Sequence, residues 1–94
     1  KLFKIYKDLI QPTDLVIDVG AFIGSHTVCF SHLAHQGKVY AFEPCRKPYD
    51  ALSKTLEINH MDNVTLYKSA VTLLLKDLDV QKKVRKKKLL LQLL

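Results

Sequence analysis

The chain has 94 residues, 48% of them apolar, with 15 lysines and arginines against nine carboxylates and a net charge of +6. That length holds one small domain, burying roughly 60–70% of the surface its unfolded form exposes, and excludes a multidomain architecture. Six of the basic residues lie in the run Lys82-Lys83-Val84-Arg85-Lys86-Lys87-Lys88, which leaves residues 1–81 with nine basic and nine acidic groups, so the basicity belongs to a tail and not to the domain.

In chain order, Leu2, Tyr6, Leu9 and Ile10 share one face of a short amphipathic helix over 2–10, ended by Gln11-Pro12-Thr13-Asp14. Leu15 to Val19 is an apolar, β-branched run that reads as a buried parallel strand. A glycine turn follows, then a helix from Gly24 or Ser25 to about His35, closed by Gln36-Gly37 with glycine as its C′ residue. Residues 38–43 read as a second strand stopped by Pro44, 46–61 as a helix with Tyr49, Leu52 and Leu56 toward the sheet, and 64–68 as a third strand after a turn at Met61-Asp62-Asn63. The β-α-β-α-β order implies parallel strands joined by right-handed crossovers, with helices on both faces. Past Val71 the pattern loses its punctuation: Leu73-Leu74-Leu75, the basic run and Leu89–Leu94 specify neither strand nor helix. The domain is therefore expected over 1–71, with 72–94 as a basic, leucine-rich tail.

Strand, glycine turn and helix in that order set a helix N-terminus over the carboxyl edge of a sheet, where open α/β folds bind ligands. Small residues at Gly20, Ala21 and Gly24 let a ligand approach the backbone closely. Glu43 ends the next strand 23 residues after Gly20, the spacing of a carboxylate that accepts both hydroxyls of a ribose. The dinucleotide fingerprint G-x-G-x-x-G fails at Phe22 and Ser25, which argues against NAD. His32 and His35 lie three apart on a helix without a third ligand in view, so no metal site is expected, and His26 is the histidine nearest the turn. Cys29 and Cys45 lack CxxC spacing, and Cys29 is expected as a reduced core thiol.

Asp18-Val19-Gly20-Ala21-Phe22-Ile23-Gly24 resembles the D/E-x-G-x-x-x-G motif of class I S-adenosylmethionine-dependent methyltransferases. The wider run Val16–Thr27, followed by Val39-Tyr40-Ala41-Phe42-Glu43-Pro44 and by Tyr49, Leu52, Asn59 and Asn63-Val64 up to Ala70-Val71, resembles the FkbM-type methyltransferases. The resemblance implies a Rossmann-like α/β fold with an incomplete parallel sheet and S-adenosyl-L-methionine as cofactor. It implies that Gly20, Ala21 and Gly24 line the methionine part and that Asp18 lies near its ammonium. Glu43 would hold the ribose, Pro44 shape the adenine pocket, and Ser69 and Ala70 border the adenine. It also implies methylation of a hydroxyl on a small molecule or sugar, without a metal. Phe22 stands where the family usually carries asparagine, and its ring is expected to crowd the cofactor. No counterpart of the family's later acceptor-side strands is recognisable, so a truncated or incomplete unit is expected, with the first strand an exposed apolar edge open to self-association.

Two other readings compete. One is an NAD-type dinucleotide-binding fragment; the other is a non-enzymatic module that binds nucleic acid or membrane through residues 82–88. No signal peptide or apolar run of about 20 residues is present, and a cytoplasmic location is expected.

Overall fold

A computed structural model of the chain describes residues 2–69 and the backbone of 89–93. It contains α1 (Leu2–Leu9), β1 (Leu15–Val19), α2 (Ser25–Leu33), β2 (Lys38–Phe42), α3 (Arg46–Ile58), β3 (Val64–Tyr67) and β4 (Leu89–Leu93). All strand pairs are parallel and the sheet order is β3-β2-β1-β4. β1 pairs Leu15 with Lys38 and Val19 with Phe42 on one side, and Leu15 with Leu89 and Val19 with Leu93 on the other. The first strand is therefore interior, not the exposed edge its sequence context suggests. The run 89–93 supplies the neighbour, although its leucines carry no period that separates strand from helix. The expected possibilities for Leu73-Leu74-Leu75 and the basic run lie outside the described residues.

Alternation along the strands divides the core. Val16 and Val39, partners in register, pack with Ile10, Phe30 and Ala34, while Ala41 packs with Ala21, Leu52 and Leu56. Thus the described helices cover one sheet face. Leu15, Ile17, Tyr40 and Phe42 form a buried cluster on the other, extended by the stacked rings of Phe42 and Tyr67 at 4.8 Å. The expected helices on both faces are thus seen on one face among the described residues.

Helix ends follow local chemistry. α3 accommodates Pro48 in its first turn, where a missing N–H costs no intrahelical bond. It stops at Ile58, three residues short of the sequence expectation, because the Asn59 side chain donates to the Thr55 carbonyl at 2.8 Å and His60 turns left-handed at φ 51°. Asn63 finishes α2 from across the sheet: its amide donates to the carbonyls of Ser31 (3.0 Å) and Ala34 (2.9 Å), and its oxygen accepts from the Ser31 hydroxyl (2.6 Å). Gly37 is not the left-handed C′ residue expected for α2, since the positive-φ glycines among the described residues are Gly20 and Gly24. Gly37 is needed for close approach instead, because a Cβ there would strike the Asp14 carbonyl oxygen. In α1, Ile10 rather than Leu9 is the anchor: Leu9 is exposed, while Ile10 is buried and continues the helical bonding to the Tyr6 carbonyl at 2.8 Å.

Candidate functional site

β1, β2 and β3 all run the same way, so the residues after each strand gather at one edge of the sheet. After β1 the chain reverses through Gly20 at φ 72°, Phe22 at φ 55° and Gly24 at φ 97°. The amides of Gly20 and Ala21 both donate to the Phe42 carbonyl, at 2.9 and 3.0 Å, which fastens this bend to the end of β2. Gly24 is required twice over: its φ is left-handed, and a Cβ would collide with Leu52 Cδ1. It caps α2, whose first turn then faces the edge without a side-chain cap.

Glu43, one residue past β2, is only 5% exposed and turns toward the bend. Its Oε1 accepts the Phe22 amide at 2.7 Å and its Oε2 the Cys45 amide at 2.9 Å, while its own amide donates to the Tyr67 carbonyl at 3.0 Å. Through its carboxylate and its backbone amide, this one residue joins the ends of β1, β2 and β3. Two lone-pair positions are used, and each oxygen retains one, enough to accept two hydroxyls of a bound diol.

Asp18 is fully buried at the end of β1. Its Oδ2 accepts the Thr27 hydroxyl at 2.6 Å, and its Oδ1 has no partner. Burial pushes this carboxyl above its ordinary 3.8; the Thr27 bond and the nearby His26 oppose the rise, and the Glu43 charge adds to it. An unpartnered buried carboxylate oxygen is costly, and a cationic N–H donor is the ligand group it suits.

A cavity of about 230 Å³ opens over the bend, lined by residues 21–26. Phe22 is 54% exposed on its wall. The His26 ring meets Tyr6 edge-on at 5.7 Å, and Tyr6 in turn meets Phe30 at 4.9 Å.

The structure thus brings Asp18, Gly20, Ala21, Phe22, Gly24 and Glu43 to one place. Pro44 is exposed and carries the chain from Glu43 to Cys45. Ser69 is half-buried two residues beyond β3 on the same edge, and Ala70 lies outside the described residues. Thr27 and Tyr6 acquire positions the sequence did not single out. Thr27 carried a signal, a hydroxyl in a helix first turn nine residues after the acid; Tyr6 carried none beyond its place on a buried stripe. Cys29 is a half-buried free thiol, its pKa raised by burial. A second cavity of about 340 Å³ at the opposite edge includes His32, His35 and His60 in its wall. No three potential metal ligands converge among the described residues, and no described helix is long and apolar enough to cross a membrane.

No model of a known family matches the sequence. Over 44 residues the chain is 50% identical to the 31-O-demethyl-FK506 methyltransferase FkbM of Streptomyces tacrolimicus, a stretch covering 46% of this chain and 16% of that protein. Its backbone is similar to that of a Clostridium thermocellum protein assigned as an rRNA methylase, with a TM-score of 0.71 and 26% identity over 83% of this chain and 43% of that one. It is also similar to SMU.1697c of Streptococcus mutans, assigned as a methyltransferase and solved in complex with SAH, with a TM-score of 0.70 and 27% identity over 80% of this chain and 42% of that one. The chain spans less than half the length of each of these proteins. Its fold is the Rossmann-like fold of class I methyltransferases, and its sequence resembles FkbM.

Proposed function

We propose that the bend at 20–24 and Glu43 bind S-adenosylmethionine, and that this chain is the cofactor-binding part of a methyltransferase acting on a hydroxyl of a small molecule or sugar. The observation that carries the reading is the Glu43 carboxylate, buried and held against the bend through the Phe22 amide, with acceptor capacity left for both ribose hydroxyls. The unpartnered Asp18 Oδ1 fits the amino-acid ammonium of the same ligand, and binding would relieve its orphaned state. The similarity to FkbM and to a methyltransferase solved with SAH supports the same ligand class, and the FkbM likeness supports a hydroxyl acceptor.

When bound, S-adenosylmethionine supplies a methyl group activated by a positively charged sulfur. The chain's own residues hold and orient. Two backbone amides fix the direction of the Glu43 carboxylate, so that it accepts from the ribose without rearranging. Gly20 and Ala21 leave the bend without bulk where the ligand backbone passes. Pro44 shapes the adenine side, with Ser69 at its border. Asp18 faces the ammonium, and Thr27 fixes its rotamer.

Calorimetry with S-adenosylhomocysteine and, in parallel, with NAD tests the reading. Binding of the first and not the second is expected, because Phe22 and Ser25 replace two glycines that a pyrophosphate-binding turn needs. Binding of NAD alone, or of neither, would overturn it.

A further inference from the structure

The sulfonium of S-adenosylmethionine carries a positive charge but no N–H or O–H, so hydrogen bonds cannot distinguish it from the neutral thioether left after methyl transfer. Only a negative charge, a carbonyl dipole or the face of an aromatic ring can do so. At this site both carboxylates already have work. Glu43 gives one lone pair of each oxygen to a backbone amide, and Asp18 is buried beneath the bend with one oxygen on Thr27. Of the side chains lining the bend cavity, two carry rings, Phe22 and His26. The His26 ring is engaged edge-on with Tyr6. The Phe22 ring has no aromatic neighbour among the described contacts and is half exposed on the cavity wall.

Its backbone is held where a phenylalanine is disfavoured, at φ 55°, by the bond from its amide to Glu43 Oε1. That bond ties Phe22 directly to the carboxylate assigned to the ribose, four residues along the chain from Asp18, and its side chain lines the cavity over the bend. We propose that Phe22 is a specificity-determining residue whose ring face reads the sulfonium charge, favouring the methyl-bearing cofactor over its demethylated product. The inference rests on the S-adenosylmethionine reading above and adds to it a reason for the aromatic ring at this position. It also gives the site a way to release product, since loss of the methyl group removes the charge that the ring attracts.

The test is the ratio of affinities for S-adenosylmethionine and S-adenosylhomocysteine, measured by calorimetry on the full chain and on Phe22→Leu and Phe22→Tyr. Leucine keeps an apolar side chain and the same backbone demand but has no π face; tyrosine keeps the face. A cation–π contact predicts that Phe22→Leu lowers the ratio about three- to tenfold while Phe22→Tyr leaves it near the original. An equal loss of both ligands in Phe22→Leu, or an unchanged ratio, would show the ring to be an apolar wall and overturn the proposal with the cofactor reading intact. Failure of the unsubstituted chain to bind either ligand would overturn the cofactor reading itself. Thermal melts of each variant verify that the ratio is read on folded protein.

Discussion

At the scale of single residues, the two carboxylates of the site are held in opposite ways. Glu43 is satisfied by two amides, whereas Asp18 has one oxygen bonded and one bare. Because burial raises the Asp18 pKa in the folded chain above its unfolded value of about 3.9, the folded state holds the proton more tightly. Stability therefore falls as pH rises from that unfolded value through the folded pKa, and the full cost stands above the folded pKa. Asp18→Asn is expected to raise the melting temperature at pH 7, by the equivalent of about 1 kcal/mol, with the advantage vanishing as pH is lowered to about 4. The same variant should bind S-adenosylhomocysteine about tenfold more weakly, since an amide N–H then faces the ammonium. Glu43→Gln should lose on both counts. One amide oxygen cannot accept from Phe22 and Cys45 together, and a loss of about 1–3 kcal/mol in thermal unfolding is expected with weakened ligand binding. Asp18, Glu43 and the glycines were legible in the sequence because their spacing is local or set by one crossover. The Thr27 bond and the Tyr6–His26 contact were not, since they depend on the angle at which helices settle on the sheet.

Among the elements, α2 shows how one glycine signal conceals two causes. Gly24 answers to backbone sign and to Leu52, whereas Gly37 answers to the neighbouring Thr13-Asp14 backbone. Residue type alone cannot separate these, which is why Gly37 read as a helix cap. Gly24→Ala is expected to destabilise by about 1–3 kcal/mol, partly relieved by movement of the Leu52 side chain. Gly37→Ala should cost at least as much, because the obstacle is backbone and cannot swing aside. Chemical denaturation of the two variants in parallel measures the difference. The positions of β1, β2 and β3, by contrast, were readable to within a residue from β-branched runs and the turn residues that bound them.

For the whole molecule, the β4 pairing converts β1 from an edge into an interior strand. No local pattern announces this, because a leucine run fits either period and the pairing closes a loop of about seventy residues. In a parallel strand successive amides point to opposite neighbours. Hydrogen exchange on the full chain is expected to show slow amides throughout 15–19. On a chain ending at residue 88, alternate amides of that strand should exchange quickly, with a greater tendency to aggregate.

The Phe22 and Cys45 amides, 23 positions apart in the chain, hang on the two oxygens of a single side chain. Neither loop has an independent fate. A fluctuation that swings Glu43 away releases the Phe22 and Cys45 amides in the same event, so the two loops loosen together at these points instead of one at a time.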